Sequence, residues 1–366
     1  DAAGTTYKAG DILIDGKKVD TNSTPISVTN YKPNVVKEVK DRADGTWKDD
    51  SDYSVGDTIP YRVTVDVPKN IEELKTFTLT DTPTNQAYVD GTLKIYSDET
   101  LETPILKEYT GVKENSGWKI EFDPKKLSKY AGEKIYISFN MKLDEKAIAI
   151  AGSHGNKNGI KLEYSNKILP NGTTETPGTD EITDETIVYA FEIAVEKVDA
   201  SDNTKLQGVT FDLYRKLKNN DTNGEENPVN GLTGKFERVK TALTTDINGK
   251  ISVSGLAKGT YYLVETKTND GYNLLKAPVE VNLNSTYSSE STTTTVTDAD
   301  GKTKTTTTIT NKTLDKGVFT TVVKNSKGFT LPTTGGIGTF VFTFAGIAMM
   351  AAAVILLITG KKKKAE

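Results

Sequence analysis

The sequence contains no cysteine and only one histidine among its 366 residues. The absence of cysteine excludes disulfide bonds, thiolate metal sites and cysteine nucleophiles. A Ser-His-Asp catalytic arrangement would have to use His154, which lies among turn-forming residues in the segment 152–156 (GSHGN). The protein is therefore not expected to be an enzyme, and neither a metal nor another cofactor is predicted.

A strong charge of one sign is also missing from most of the chain. The net charge is −4, charged residues make up 26% and apolar residues 35%, which is typical of a folded protein rather than a disordered one. No basic stripe occurs before the last residues, so nucleic acid is not an expected partner. The length suffices for two or three domains, each with its own core.

One long apolar run lies near the C-terminus, at residues 337–358 (IGTFVFTFAGIAMMAAAVILLI). Its length without a charge matches the thickness of a bilayer core at helical rise and predicts a transmembrane helix. The basic tail, residues 361–366, predicts that the C-terminus stays in the cytoplasm and that the preceding chain lies outside the cell. No signal-peptide pattern opens the sequence at Asp1, so we expect a processed N-terminus or a fragment.

A short motif stands directly before this run and consists of Leu331, Pro332, Thr333, Thr334 and Gly335. Short motif, apolar run and basic tail, in this order, resemble the cell-wall sorting signal of Gram-positive bacteria. A juxtamembrane turn is the alternative interpretation of the motif.

The resemblance implies that a sortase is a partner. Its cysteine would attack the Thr334 carbonyl, release the chain from Gly335 onward, and pass the acyl group to an amine of a neighbouring subunit or of peptidoglycan. The protein would then be extracellular and anchored to the cell wall, after a transient stay in the membrane.

Short runs of alternating apolar and polar residues, separated by Gly, Asn, Asp and Pro, dominate the rest of the chain. The pattern predicts an all-β protein with antiparallel Ig-like sandwiches in series. Composition places the domains at 31–169 and 187–328, with a linker at 170–186 that is rich in Pro, Gly, Thr and acidic residues. Residues 1–30 are predicted to be the remnant of a preceding domain.

Three polar residues of the second predicted domain share a strand face with apolar neighbours. They are Lys197 in the segment 191–197, Glu265 in 261–265 and Asn325 in 323–325. Desolvation lowers the pKa of a buried lysine and raises that of a buried carboxyl group. A neutral amine is a nucleophile and a protonated carboxyl polarises an amide, so the trio contains the groups for amide exchange between Lys and Asn.

Three segments around this trio look like a known repeat: residues 208–214 (GVTFDLY), 248–251 (NGKI) and 261–272 (YYLVETKTNDGY). They resemble the collagen-adhesin B-type repeat of Gram-positive pilins, and the last is similar to the family's E-box. The sequence departs from that motif where Thr268 and Asn269 replace the usual Ala-Pro.

This resemblance implies that Lys197 forms an isopeptide bond with Asn325, with Glu265 as the catalytic acid and ammonia as the product. Asn311 has the same strand parity and is the alternative partner. The family's habit of placing the Asn shortly before the sorting motif favours Asn325, and residues 291–310 are predicted to form an extra hairpin.

The same pattern recurs in the first predicted domain. Its members are Lys37 in the segment 35–39, Asp81 in 77–81 and Asn166 in 162–166. Residues 55–61 (VGDTIPY), 78–83 (TLTDTP) and 163–166 (EYSN) resemble the fimbrial isopeptide-forming D2 domain, of the collagen-adhesin A type.

That resemblance implies a bond between Lys37 and Asn166 that is promoted by Asp81. Lys40 is the less favoured amine because its strand parity is wrong. For both trios the alternative is an ordinary buried ion pair. Two such bonds would brace a protein that works in an oxidising environment without a disulfide.

Together the resemblances predict an LPXTG-anchored pilin, a structural subunit of a sortase-assembled pilus whose partners are sortase, neighbouring pilin subunits and peptidoglycan. A shaft subunit also needs an acceptor lysine, and the family's Tyr-Pro-Lys motif is not matched in order by Tyr31-Lys32-Pro33. The alternative is a wall-anchored adhesin or basal pilin, whose partners would include host surface ligands.

Overall fold

The structure is a computed structural model that describes residues 13–14, 17–18, 32–107, 109, 111–150, 155–166, 177–218, 224–328 and 337–362. The chain forms two compact units, the first from residues 1–194, 252–260 and 281–320, and the second from residues 195–251, 261–280 and 321–366. Strands predominate in the described part, which confirms the prediction of an all-β protein with Ig-like sandwiches.

The first fifteen strands precede residue 190. They are β1 (Leu13–Ile14), β2 (Lys17–Lys18), β3 (Asn34–Lys40), β4 (Trp47–Lys48), β5 (Asp50–Asp52), β6 (Thr58–Asp66), β7 (Phe77–Pro83), β8 (Gln86–Tyr88), β9 (Lys94–Tyr96), β10 (Pro104–Ile105), β11 (Val112–Glu114), β12 (Gly117–Glu121), β13 (Lys134–Leu143), β14 (Asn156–Ser165) and β15 (Thr179–Tyr189). Short helices in this part are α1 (Pro124–Leu127) and the 3-10 turns Ile71–Glu73, Ser128–Tyr130 and Glu145–Ile150.

Ten further strands and one long helix follow. They are β16 (Phe191–Asp199), β17 (Thr210–Lys216), β18 (Glu225–Glu226), β19 (Lys235–Thr244), β20 (Lys250–Leu256), β21 (Gly259–Lys267), β22 (Val279–Leu283), β23 (Tyr287–Thr297), β24 (Thr303–Leu314), β25 (Val318–Asn325) and α2 (Ile337–Lys362).

Two large sheets belong to the first unit. One has the order β10-β9-β13-β6-β3-β4, with β8 also paired to β13, and the other has the order β11-β12-β7-β14-β15-β24-β23, with β5 also paired to β15. In β3, β7 and β14 the side chains alternate between buried and more exposed positions, as period-two strands require. The inward residues join one apolar core that includes Tyr61, Phe77, Trp118 and Phe139.

The predicted linker at 170–186 overlaps with strand β15. Residues 179–186 were expected to belong to a connector, but they lie in β15, which pairs with β14 from Ser165↔Thr179 to Asn156↔Val188. Ile182 is buried, so this acidic segment is a strand with one face toward the core. Its polar composition alone did not indicate a strand. Residues 170–176 of the predicted connector lie outside the described residues.

The predicted hairpin at residues 291–310 is present as β23 and β24, which pair from Tyr287↔Leu314 to Thr297↔Thr303. Gly301 adopts a φ of 79° in the turn, a conformation that glycine reaches without strain. β24 also pairs with β15 in parallel, so the hairpin extends a sheet of the first unit. This placement differs from the predicted boundary, which assigned the hairpin to the domain at 187–328.

The sheets built on the second part of the chain are smaller. One has the strand order β20-β16-β25 and the other the order β18-β19-β17-β21-β22. Their inward residues include Val195, Phe211, Tyr261, Leu263 and Val323, all of them buried. The alternation in β16, β21 and β25 is the one that the sequence predicts.

The two ends of the chain are described only in part. In the region 1–30, predicted to be a domain remnant, the structure describes the pairing of β1 with β2. At the other end α2 confirms a helix where residues 337–358 predicted one. Among the described residues, the structure contains no helix whose length and apolar character suit a membrane span. The transmembrane prediction is therefore not confirmed.

Candidate functional site

The first candidate site is a buried cluster in the first unit. Lys37 sits in the middle of β3 with no exposed surface, and its Nζ forms an ion pair with Oδ1 of Asp81 on β7. The same Nζ donates to the backbone oxygen of Gly159 on β14, at 3.2 Å. Two of the predicted residues, Lys37 and Asp81, are thus in direct contact.

Burial moves both groups toward neutrality. Desolvation lowers the pKa of Lys37 and raises the pKa of Asp81, and the attraction between the two charges opposes both shifts. A neutral amine beside a protonated carboxyl is the reactive combination for nucleophilic attack on an amide.

Aromatic rings surround the Lys37 amine. Its Nζ lies 5.2 Å from the ring centre of Tyr61 and 5.3 Å from that of Phe139. These two rings stack with their centres 5.5 Å apart, and Trp118 meets Phe139 edge-on at 5.1 Å. The rings exclude water from the amine, and this desolvation lowers the pKa of Lys37.

The amide that completes this cluster is Asn158, which the sequence analysis did not propose. It is fully buried on β14, directly before Gly159. It lies close enough to Asp81 to lower the pKa of that carboxyl group, against the larger effect of burial. Both polar atoms of its side chain, and Oδ2 of Asp81, are buried with no hydrogen-bond partner among the described residues. Unpaired buried amides are costly and call for an explanation.

Asn156, the other buried asparagine of β14, has hydrogen-bond partners for both polar atoms of its side chain. Its Nδ2 donates to the backbone oxygen of Val188 at 3.0 Å, and its Oδ1 accepts from Asn85 at 3.1 Å. Its amide is therefore a satisfied structural group. The contrast singles out Asn158, the amide that acts on Asp81, as the buried amide without such partners.

The predicted partner Asn166 does not belong to the cluster. It follows the far end of β14, where its Nδ2 donates to Oδ1 of Asp180 at 3.1 Å. Asp81 is paired with Ile160, and the eight residues from Asn158 to Asn166 span about 26 Å of extended chain, several times the reach of a lysine side chain. The structure therefore contradicts the assignment of Asn166 as the partner of Lys37.

The second candidate site gathers the predicted trio of the second unit. Lys197 on β16, Glu265 on β21 and Asn325 on β25 are all buried. Nδ2 of Asn325 donates to Oε1 of Glu265 at 2.8 Å, and Nζ of Lys197 donates to the backbone oxygen of Val323 at 3.3 Å. β16 and β25 are neighbours in their sheet, which brings the lysine and the asparagine to adjacent strands.

The electrostatics of this site also favour a reactive amine. Burial lowers the pKa of Lys197 to about 8, and the nearby carboxylates Glu265 and Asp199 oppose that shift. Glu265 is fixed by the backbone N–H of Leu275, which donates to its Oε2 at 2.8 Å. Oδ1 of Asn325 is buried and has no hydrogen-bond partner within the described part of the chain.

Thr268 is a further member of this site that the sequence analysis did not assign a role. It follows β21 at the position where the sequence departs from the E-box pattern, and its Oγ1 accepts from Nδ2 of Asn325 at 2.7 Å. The Asn325 amide nitrogen is thus held by a carboxyl and a hydroxyl group.

The remaining candidates make other contacts or lie outside the described residues. Asn311 is on β24, where its Oδ1 accepts from the Tyr189 hydroxyl at 3.4 Å. Lys40 is exposed at the end of β3, with its Nζ 5.8 Å from the ring centre of Trp47. The sorting motif, Leu331 to Gly335, lies outside the described residues.

A signal for Asn158 exists in the sequence. Asn158 shares its parity with Ile160, Leu162 and Tyr164, so the period-two pattern extended toward the N-terminus would have included it. Thr268 carries no comparable signal, because it follows the strand and its contact depends on the path of the turn.

Comparison with known proteins adds family relationships. The SpaA family, a prealbumin-like fold domain, matches residues 191–299, and the LPXTG cell wall anchor motif matches residues 323–366. The trypsin-resistant surface T6 protein of Streptococcus pyogenes serotype M6 is 24% identical, over 90% of this chain and 69% of its own length.

Two solved structures have the same fold over much of their length. The T6 backbone pilin of serotype M6 Streptococcus pyogenes is 21% identical with a TM-score of 0.54, covering 81% of this chain and 70% of its own. A 35 kDa C-terminal fragment of a major pilin of Streptococcus agalactiae is 19% identical with a TM-score of 0.51, covering 69% of this chain and 91% of its own.

Proposed function

We propose that this chain, an LPXTG-anchored Gram-positive pilin, is a structural subunit of a sortase-assembled pilus that two intramolecular Lys–Asn isopeptide bonds brace. The observation that carries the proposal is the occurrence of two buried Lys–carboxyl–Asn clusters in a chain that ends in a wall anchor. The protein is extracellular and anchored to the cell wall.

Assembly proceeds at the sorting motif. A sortase cysteine attacks the carbonyl carbon of Thr334, and the peptide bond to Gly335 breaks. An amine of a neighbouring subunit or of peptidoglycan then displaces the enzyme and forms a new amide bond with Thr334. The protein is the substrate in both steps.

The first bracing bond joins Lys37 to Asn158. The neutral Nζ attacks Cγ of Asn158 while Asp81 transfers a proton from Nζ to the departing Nδ2, so that one amide bond forms and one ammonia leaves. The contact of Asp81 with the amine and its proximity to Asn158 support this route. Asn158 replaces Asn166 in this proposal because the structure separates Asn166 from the lysine.

The second bond joins Lys197 to Asn325 by the same exchange. Glu265 binds the amide nitrogen that leaves as ammonia, and it is therefore placed to deliver the proton that this nitrogen needs. The lowered pKa of Lys197 supplies the neutral amine. The alternative partner is Asn311, whose Oδ1 accepts from the Tyr189 hydroxyl at 3.4 Å, and the mass measurement below separates the two assignments.

The intact mass of the whole chain tests both bonds. We expect the wild-type chain to weigh two ammonia molecules less than its sequence, and Lys37→Ala, Asn158→Ala, Lys197→Ala and Asn325→Ala each to recover one. Asn166→Ala and Asn311→Ala are matched controls that keep both bonds. A wild-type chain of full mass would reduce the clusters to buried ion pairs, and recovery of an ammonia in Asn166→Ala would identify Asn166 as the partner of Lys37.

Pilus assembly is tested separately, in cells that carry the matching sortase. A shaft subunit gives a ladder of covalent polymers that resist boiling in detergent, and Thr334→Ala abolishes the ladder. A single wall-linked species that never forms a ladder would instead indicate the basal or adhesive subunit.

A further inference from the structure

The Asn325 side chain has an unusual set of contacts. Its Nδ2 donates to two acceptors from different parts of the chain, Oε1 of Glu265 at 2.8 Å and Oγ1 of Thr268 at 2.7 Å. Its Oδ1 is buried and, within the described residues, accepts from no donor. Both contacts of this amide are therefore made at the nitrogen that must leave.

We propose that Thr268 is a positioning residue for the Lys197–Asn325 reaction, and that its hydroxyl group orients the Asn325 amide and holds the departing nitrogen. This inference rests on the proposed isopeptide bond and deepens it. A single hydrogen bond to Glu265 leaves the planar amide free to turn about the axis of that bond. A second acceptor on the same nitrogen fixes the plane, because the two N–H bonds of an amide point in fixed directions.

The orientation matters for the attack. Lys197 must approach Cγ of Asn325 from above the amide plane, and a plane held in one orientation presents that carbon to the amine in each encounter. The lysine amine is itself held by the backbone oxygen of Val323, two residues before Asn325 on the same strand. Amine and amide are thus both restrained before the reaction.

The hydroxyl group also serves the step in which the nitrogen leaves. As Nζ bonds to Cγ, a proton passes from Nζ to Nδ2 by way of Glu265, and the Cγ–Nδ2 bond breaks to release ammonia. The protonated nitrogen carries more N–H bonds and more positive charge than the amide had. A second oxygen acceptor at 2.7 Å stabilises that charge as it forms.

A purely structural role is the competing explanation. Thr268 is half-buried, and in this explanation its methyl group packs against its neighbours while the hydroxyl group has no effect on the reaction. Thr268→Val keeps the shape and removes the hydroxyl group, while Thr268→Ser keeps the hydroxyl group and removes the methyl group. The pair therefore separates the two roles.

The test is a time course on the full chain. Freshly synthesised protein is quenched in acid at intervals, and peptide mapping by mass spectrometry measures each bond separately. We expect Thr268→Val to form the Lys197–Asn325 bond about tenfold more slowly than wild type, as the loss of one charge-assisted hydrogen bond predicts. Thr268→Ser should stay within about twofold of wild type, since one hydrogen bond is kept.

Two controls accompany the time course. The Lys37–Asn158 bond in the same molecules should form at an unchanged rate, because Thr268 and that cluster belong to different units. In the Lys197→Ala background, where no second bond forms, the urea midpoints of the Thr268 variants show whether the unit is folded. Should Thr268→Val fail to fold, Thr268→Ala provides the chain without a hydroxyl group.

Equal rates for wild type and Thr268→Val would overturn the proposal, and so would equal slowing of the Val and Ser variants. A wild-type chain in which Asn325 never loses ammonia would remove the reaction itself. That outcome is visible in the wild-type mass alone, so it cannot be confused with a negative result for Thr268.

Discussion

A lysine inside a β-sandwich needs polar groups beside its amine. The carboxyl group of each candidate site makes a different contact. In the first unit the carboxyl group contacts the amine, because Asp81 pairs with Nζ of Lys37. In the second unit the carboxyl group contacts the amide, because Glu265 accepts from Nδ2 of Asn325. The acid can move a proton between amine and amide from either side, so both arrangements suit the same exchange.

The rate of the second bond should depend on pH through the Lys197 amine. Burial lowers its pKa to about 8, so the neutral fraction rises with pH up to that value and then levels off. We expect the rate of ammonia loss from Asn325 to increase about tenfold for each pH unit below the pKa, and to be nearly constant above it. The measurement is the initial rate by intact mass in the Lys37→Ala background, over a series of buffers.

A rate that falls as the pH rises toward 8 would contradict this prediction, because it would make a protonated group limiting. Glu265→Gln is the matched control. It keeps the shape of the side chain but cannot transfer a proton, and we expect it to form no bond at any pH.

At the scale of the strand, the alternation of side chains decides which residues meet. β3, β7 and β14 each send every second side chain inward, and the three polar members of the first cluster occupy inward positions otherwise taken by apolar residues. β13 contributes Phe139, whose ring lies against Tyr61, Trp118 and the Lys37 amine. One residue of β13 thus connects the aromatic core with the site.

Replacement of Phe139 by alanine should therefore reduce the stability of the first unit. We expect a decrease of about 3–5 kcal/mol in the free energy of unfolding of the first unit, the usual cost of removing a buried aromatic ring. The measurement is a urea titration in the Asn158→Ala background, where no first bond forms. Both tryptophans, Trp47 and Trp118, belong to the first unit, so their fluorescence reports on that unit.

Ser138→Ala is the control for Phe139→Ala, because the neighbouring residue of β13 points away from the core. It should change the free energy by less than about 0.5 kcal/mol. Similar losses in the two variants would show that Phe139 does not anchor the core of this unit.

At the scale of the whole molecule, the two proposed bonds determine which parts of the chain can extend under tension. With both proposed bonds in place, force applied at Thr334 would reach Asn325, cross the bond to Lys197, and continue toward Asn158 and Lys37. Residues 38–157 and 198–324 would then lie inside closed covalent loops and carry no tension. A covalent tie also restricts the unfolded chain, as a disulfide bond does in proteins that contain cysteine.

Pulling single molecules from their two ends tests this path. We expect Asn158→Ala to lengthen the fully extended chain by about 400 Å relative to wild type, because a loop of about 120 residues is released. Asn166→Ala should add nothing. An unchanged length in Asn158→Ala would exclude the bond at that residue whatever the mass measurement had suggested.

Much of this protein is determined by local sequence. The order of sorting motif, apolar run and basic tail stands in one segment, and the inward positions of Lys37, Asp81, Lys197, Glu265 and Asn325 follow from period-two alternation alone. The all-β class is predictable for the same reason, because strand patterning depends on neighbours along the chain.

Only the tertiary structure decided which amide faces which amine. Asn156, Asn158 and Asn166 have the same parity, and it is the register of β14 against β7 that brings Asn158 to Asp81 and leaves Asn166 at the far end. Register also placed the hairpin of β23 and β24 beside β15, and the turn after β21 brought Thr268 to Asn325. Alternation fixes the face of a residue, whereas its partner depends on how far one strand is shifted along another.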